Sequence, residues 1–419
     1  MAKEKAVKAP ADDFDKILDG LEKQFGDGNI FNGEEAALKD VFIQFDAPRL
    51  TWAYGGGFKL NAIHRFNGKE SGGKTTLVTY IAGQVQRYHH KEDGNWDRCH
   101  VVILDNERSF DIKHARDLGL VITNPDTGKP LVHVFRNLYV DDQEIAFEKT
   151  VISGKVCCCI YDSDAAGMDK TSFGEVGYND MSKATFGAGA KASGMVIKRM
   201  NYFVDRYVCP VLWISQERAN QDIMARLPKP TGGEAVNFYP STRFRVTPKD
   251  FITRNGETVG ITMKIKNYKN KAILNGAPYR ECLLDVYFKD GEDFKAGIDG
   301  EGQYFDMMLE LGFIKQHGAW YYMNEDDPDP SKLVKMQGMG GVKDYFKEHR
   351  DEFLKIKSMV DEAMSGFNEI LDKNSVQLDE EVEFQREQME LKVKREAQLK
   401  DLVEQAAAAA EGNSEEASA

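Results

Sequence analysis

The chain has 419 residues, 42% hydrophobic and 29% charged, with 37 Gly and only 12 Pro, which excludes a disordered or fibrous protein. That length allows one large domain and a smaller companion. Fifty-five Lys and Arg stand against 68 Asp and Glu, a formal net charge of −13, so any polyanion site must be a local basic patch on an acidic chain.

The chain opens on a basic leader (Lys3, Lys5, Lys8) with no apolar segment of a secretion signal. Phe14, Ile17, Leu18, Leu21 and Phe25 then recur at helical spacing until Gly26 and Gly28 end the pattern. This predicts an amphipathic arm over residues 1–34. From Phe42 to Phe288, apolar runs (Ala62–Phe66, His100–Leu104, Cys157–Tyr161, Pro210–Ile214, Ile261–Ile265, Leu283–Phe288) alternate with helical or irregular stretches. The expected fold class is α/β, with a mainly parallel central sheet over residues 35–291. The six cysteines (Cys99, Cys157, Cys158, Cys159, Cys209, Cys282) form no C-x-x-C pair, so they read as reduced core thiols of an intracellular protein.

A glycine and acid cluster, Gly291–Gly302, marks a junction. Beyond it Tyr304–Leu311 and Val342–Phe353 read as short helices around Trp320-Tyr321-Tyr322, a small domain over residues 292–365. Residues 366–419 change character, with 12 acidic and 5 basic residues between Asp379 and Glu416. The heptad-spaced Leu378, Val382, Met389, Leu399 and Val403 are interrupted by Gln385, Lys392 and Glu396, which predicts a solvated acidic helix and not a coiled coil. No run approaches the length of a membrane span, and a cytoplasmic protein is expected.

The sharpest motif is Gly68-Lys69-Glu70-Ser71-Gly72-Gly73-Lys74-Thr75, a G-x-x-x-x-G-K-[ST] loop placed between a strand and an amphipathic run beginning near Leu77. Its glycines let backbone N–H groups turn inward around phosphate oxygens at a helix N-terminus. Lys74 reaches the terminal phosphates, and the Thr75 hydroxyl ligates Mg²⁺. A phosphate loop needs a carboxylate for the metal shell, and Asp162 supplies one at the end of Val156–Tyr161. Glu107 follows the strand Val101–Leu104, at the sheet edge where α/β proteins bind ligands; by pattern alone it is either a water-orienting group or a surface carboxylate. Gln216 ends a further buried strand and is a candidate γ-phosphate sensor.

In their order these motifs resemble the RecA-type recombinases. Leu21–Gly26 with Gly28-Asn29-Ile30 resembles the family's N-terminal helix and turn, and Gly68–Leu77, including Thr76, its phosphate loop. The run 105–120 is similar to the segment that carries the catalytic glutamate. Thr231-Gly232-Gly233-Glu234-Ala235 before Phe238-Tyr239 resembles the end of the second DNA-binding loop, and Gly318-Ala319-Trp320-Tyr321 the small C-terminal domain. The resemblance implies that Glu107 is the base or water-orienting residue and that Gln216 links the γ-phosphate to DNA. Lys269 and Lys271, on their own a solvated basic turn, become charge stabilisers acting across a subunit interface. Asp111 and His114 stand where the family holds adenine, His114 replacing an aromatic Tyr.

The resemblance also places DNA-binding loops at about 172–194 and 217–234. Between Met181 and Pro230 stand 8 basic and 3 acidic residues, a local excess suited to a phosphate-tracking groove. Lys183, Lys191, Lys198, Arg199, Arg218 and Arg226 are the cations expected at DNA, with Gly232 and Gly233 closing the second loop. Met181 is the expected apolar wedge of the first loop. In the second, Gln221 and Asp222 occupy the usual aliphatic place, leaving Ile223 or Met224.

The implied function is ATP- and Mg²⁺-dependent pairing of single-stranded DNA with homologous double-stranded DNA by a helical homo-oligomeric filament. Single-strand-binding or mediator proteins are the accessory partners, and no membrane is involved. Two alternatives share the motifs: a hexameric RecA-fold helicase, and a DNA-protecting filament former that uses ATP as a switch.

Overall fold

The amphipathic arm forms helix α1 (Asp12–Phe25), on which Phe14 and Ile17 are exposed. The computed structural model describes residues 12–25, 40–166, 188–218, 229–230, 235–271, 280–291 and 294–365. Within the unit Val41–Phe367, a two-stranded ribbon of β1 (Phe42–Ile43) and β2 (Phe58–Lys59) brackets helix α2 (Pro48–Ala53). Phe45, Tyr54 and Phe58 interlock there with ring centroids 5.2–5.5 Å apart.

The apolar runs become β3 (Ile63–Gly68), which leads into helix α3 (Lys74–Asp93), and β4 (His100–Asp105), followed by helix α4 (Ile112–Asp117). Next come β5 (Val132–Phe135), helix α5 (Val140–Val151) and β6 (Val156–Asp162). Helix α6 (Ala188–Tyr207), β7 (Val211–Arg218), β8 (Lys229–Pro230) and the short helix α7 (Ala235–Phe238) lead to β9 (Thr242–Arg254). Strands in the order β9-β3-β7-β6-β4-β5 are all parallel, as crossover connections require. Every residue of β3 and β6 is buried because helices cover both faces. One face packs Leu77, Val78 and Ile81 of α3; the other packs Phe147, Val196, Met200 and Val204 of α5 and α6. The six cysteines are free and buried, and burial pushes the Cys157, Cys158 and Cys159 thiols well above their ordinary range.

The other half of the sheet is antiparallel: β9, β10 (Glu257–Asn270), β11 (Glu281–Tyr287) and β12 (Gly297–Ile298) form a meander. The apolar runs near 261 and 283 are therefore joined without crossover helices. Asn255 and Gly256 sit at φ 51° and 81°, the two left-handed residues of a tight hairpin between β9 and β10. Pro248 pairs opposite Met263 at a register shift, where a missing N–H is tolerated.

Helix α8 (Gly300–Glu310), strands β13 (Ile314–His317), β14 (Trp320–Met323) and β15 (Val334–Gln337), and helices α9 (Gly338–Glu348) and α10 (Arg350–Ser365) enclose a separate core of Tyr304, Met308, Phe346 and Phe353. The run expected as one helix over Val342–Phe353 is two helices, broken at His349. Trp320-Tyr321-Tyr322 is a strand whose Tyr321 faces inward. The acidic tail lies outside the described residues.

His64, fully buried on β3, places Nε2 2.7 Å from the Lys59 carbonyl and Nδ1 2.8 Å from the Thr242 hydroxyl. The neutral ring serves both by donating from Nε2 and accepting at Nδ1, and burial lowers its pKa to about 3. Below its unfolded value of about 6.5 the unfolded chain binds a proton that the folded chain refuses. Stability is thus fully present above pH 6.5 and falls on acidification toward pH 3, at most about 1.4 kcal/mol per pH unit from this residue. Thermal unfolding at pH 7.5 and 5.5 should show a smaller acid loss in His64→Gln than in wild type; equal losses would refute the assignment.

Candidate nucleotide site

Gly68 ends β3 so close to β9 that a Cβ would lie 2.3 Å from the Val246 carbonyl oxygen. Gly73, at φ 86°, would bring a Cβ within 2.2 Å of Met263 Sδ. These two glycines let the loop wrap against β9 and β10 and aim its backbone at the N-terminus of α3. Ser71 between them is also left-handed, at φ 56°, while Glu70 and Ser71 are exposed and Gly72 is buried. Lys74 is buried, and its Nζ donates to the Lys69 carbonyl at 2.7 Å. Burial pulls its pKa down, opposed by Glu107, Asp162, Glu217 and Glu70.

The Thr75 hydroxyl donates to Asp162 Oδ2 at 2.9 Å. Asp162 Oδ1 is buried and has no hydrogen-bond partner among the described residues. Burial first, then the charge of Glu107, raises the Asp162 pKa to about 6. A desolvated carboxylate with an open oxygen, beside a hydroxyl and a second carboxylate, suits a hard divalent cation such as Mg²⁺.

Glu107 stands on the turn after β4. Its Oε1 accepts from Gln216 Nε2 at 2.7 Å and from the Ser163 hydroxyl. The turn is fixed from below by buried Asp105, which accepts from Ser109 N at 3.1 Å and Arg136 Nε at 2.8 Å. The backbone N–H groups of Asn106 and Glu107 both donate to the Asp162 carbonyl, at 2.7 and 3.3 Å. Thus the ends of β4, β6 and β7 are stitched together where the phosphate loop opens.

Thr76 Oγ1 lies 3.0 Å from His114 Nε2, and Asp111 caps α4 by accepting from His114 N at 2.8 Å. Lys269 Nζ donates to the Asn237 and Phe238 carbonyls at 2.9 and 2.8 Å, and Lys271 Nζ to that of Phe238 at 3.2 Å. The strand-end cluster therefore brings together Lys74, Thr75, Asp162, Glu107 and Gln216. The two lysines bind instead to the end of α7.

Among the expected DNA-facing residues, Met181, Lys183, Ile223, Met224, Arg226, Gly232 and Gly233 lie outside the described residues. Lys191 and Arg218 are placed by backbone alone, on α6 and β7. Lys198 is exposed on α6, and Arg199 beside it pairs with Glu144 and Glu148 of α5 at 2.6 and 3.1 Å. The pairing of β8 with the end of β7 closes the base of the segment between them. There Glu217 accepts both Arg245 Nη2 and Nε, at 2.8 and 3.1 Å.

Sequence reasoning passed over Asp105, Ser163, Arg245 and the buried Arg65–Asp164 pair. The available signal was a charge inside an apolar run, as in Ile63-His64-Arg65-Phe66, which demands a buried partner.

Residues 12–293 match the model of the RecA N-terminal domain. The chain is 28% identical over 380 residues to Protein RecA of Bacillus subtilis, spanning 88% of this chain and 97% of that protein. It is 32% identical over 319 residues to Protein RecA of Geobacter sulfurreducens (74% and 84%), and 28% over 355 residues to Protein RecA of Syntrophus aciditrophicus (83% and 92%). A match across two-thirds of the chain, within which the phosphate loop and the strand ends just described lie, means that this chain belongs to the RecA family.

Proposed function

We propose that this protein, as a DNA-dependent ATPase of homologous recombination and repair, hydrolyses ATP at the β3–α3 loop. It forms helical filaments on single-stranded DNA that pair with homologous duplex. The observation that carries this reading is the 2.7 Å bond between Gln216 and Glu107, beside the Thr75–Asp162 pair. It links a water-orienting carboxylate to the strand that runs directly into residues 217–234, the expected second DNA loop.

In this reading the loop glycines cradle the phosphates, and Lys74 leaves the Lys69 carbonyl for the terminal phosphate. Thr75 and Asp162 hold Mg²⁺, which supplies charge neutralisation on the phosphates when bound. Glu107 orients a water and accepts its proton, and Gln216 reports the γ-phosphate to the loop beyond it. His114 stacks on adenine, with Asp111 near its amino group. The cations Lys183 and Arg226, with Lys191 at the start of α6 and Arg218 at the end of β7, track the DNA backbone, while Met181 and Ile223 or Met224 separate base groups. The exposed Phe14 and Ile17 of α1 suit an open head-to-tail contact, which yields a helix of subunits and not a closed ring.

The test is ATP turnover with and without single-stranded DNA, with electron microscopy of the same samples. DNA-stimulated turnover together with open filaments, both lost on deletion of residues 1–34, is the expected result. Closed rings that unwind a forked duplex would favour the helicase, and filaments without turnover the protective switch.

A further inference from the structure

Arg65 lies on β3, three residues before Gly68, with its side chain wholly buried. A guanidinium in such a place needs hydrogen bonds along its whole fork. Its Nε donates to Ser215 Oγ at 2.8 Å, and its Nη1 to the Val236 carbonyl at 3.1 Å and Asn237 Oδ1 at 2.6 Å. Its Nη2 stands 3.7 Å from Asp164 Oδ2. The same carboxylate oxygen accepts from the Ser215 hydroxyl at 2.6 Å and Trp213 Nε1 at 3.1 Å. Burial lowers the Arg65 pKa to about 10 against the pull of Asp164, so the group is charged at neutral pH.

Two partners lie close in sequence to residues of the nucleotide site, and the others lie on α7. Asp164 follows Asp162 by two positions, and Ser215 precedes Gln216. Asn237 and Val236 belong to α7, which resumes the described chain after residues 231–234. Asn237 is held further by Arg243 Nη1 at 3.3 Å and, through its carbonyl, by Lys269. A buried ion pair is weak as a source of stability, and apolar residues of similar volume commonly serve as well. Its use is geometric: a planar fork hydrogen-bonded to β7 and α7, and facing Asp164 after β6 as an ion pair, ties their positions to one another.

We propose that Arg65 is a positioning residue that joins the strand ends carrying Asp162 and Gln216 to α7, and so passes a nucleotide-dependent shift of those strand ends to the far base of the second DNA loop. The inference rests on the reading of residues 217–234 as that loop. It adds a second link, at the loop's C-terminal base, to the one that Gln216 makes at its N-terminal base. Displacing Ser215 stretches the fork unless α7 follows, because the one guanidinium is bonded to both.

The experiment uses full-length protein and a fluorescent oligothymidine, with its Kd measured in the presence of Mg²⁺ and either a slowly hydrolysed ATP analogue or ADP. The ratio of the two is the coupling. Asn237→Ala removes the fork's side-chain partner on α7 and leaves Arg65 facing Asp164. Arg65→Lys keeps the buried charge and loses the fork. Each is expected to reduce the ratio at least about fivefold, and to reduce equally the factor by which DNA tightens analogue binding relative to ADP binding. The analogue affinity without DNA is expected to stay at its wild-type value, and Asn237→Ala is expected to fold with Arg65 Nη1 still bonded to the Val236 carbonyl. If Arg65→Lys does not fold, Asn237→Ala decides alone. An unchanged ratio overturns the proposal. So does an equal loss of DNA affinity in both nucleotide states, which would make Asn237 a plain DNA contact. A wild-type protein whose DNA affinity ignores the nucleotide refutes the loop assignment itself, an outcome distinct from failure of the relay.

Discussion

Glu107→Gln should cut DNA-stimulated ATP turnover by about 100-fold or more while ATP and single-stranded DNA still bind. The substitution is nearly isosteric, and its carbonyl oxygen can keep accepting from Gln216 Nε2 and the Ser163 hydroxyl, the two contacts that hold Oε1. What disappears is a basic oxygen able to take a proton from water. The Asp162 carboxyl, raised to about 6 partly by the charge of Glu107, should also titrate lower in the variant, because one neighbouring negative charge is gone. Turnover follows from phosphate release at saturating DNA, and binding from nucleotide titration. DNA filaments should persist longer on ATP than those of wild type. Turnover within about threefold of wild type would take Glu107 out of the reaction, since a positioned general base contributes at least tenfold more than that.

The phosphate loop was legible because close approach and a left-handed turn constrain its glycines: a Cβ at Gly68 would meet the Val246 backbone carbonyl, and Gly73 sits at φ 86° beside the Met263 side chain. Asp162 was legible as the first charge after an unbroken buried strand. Glu107 was not decidable from pattern, because its exposure is that of any carboxylate on a turn, and only its bond to Gln216 on a distant strand separates the two readings. Arg65 and Asp164 lie 99 positions apart, and the physical rule that a buried charge needs its opposite predicts that a partner exists without saying where. The antiparallel half of the sheet had a local signal, Asn255-Gly256, yet the even spacing of apolar runs invited a reading with crossovers. For the DNA-facing segments the sequence offers charge and glycine content alone, because contact with a polyanion selects for cations and not for an apolar period.

The second large effect concerns Lys269 and Lys271. Lys269 is crowded: burial first, then Lys271, Arg243 and Arg65, lower its pKa to about 8. Its three donors are engaged at least twice, by carbonyls at the end of α7, and Lys271 joins it on Phe238. Such a cluster of cations favours an incoming anion, and a neighbouring subunit's ATP supplies one if the lysines act across the interface. Substituting both by Ala should then lower turnover by about 1,000-fold or more, the scale of a transition-state cation supplied in trans. Loss of activity alone would also follow if the lysines merely anchored α7, so the deciding measurement is complementation. Subunits lacking both lysines keep an intact phosphate loop, and Glu107→Gln subunits keep intact lysines. Each is inactive alone. Mixed at equal concentrations on DNA, about half the sites have a working Glu107, and about half of those face a neighbour with working lysines. Recovery to about a quarter of wild-type turnover is the expected result for open head-to-tail assembly. If activity does not return on mixing although mixed filaments form, the lysines serve their own subunit, and the interface loses its part in the chemistry.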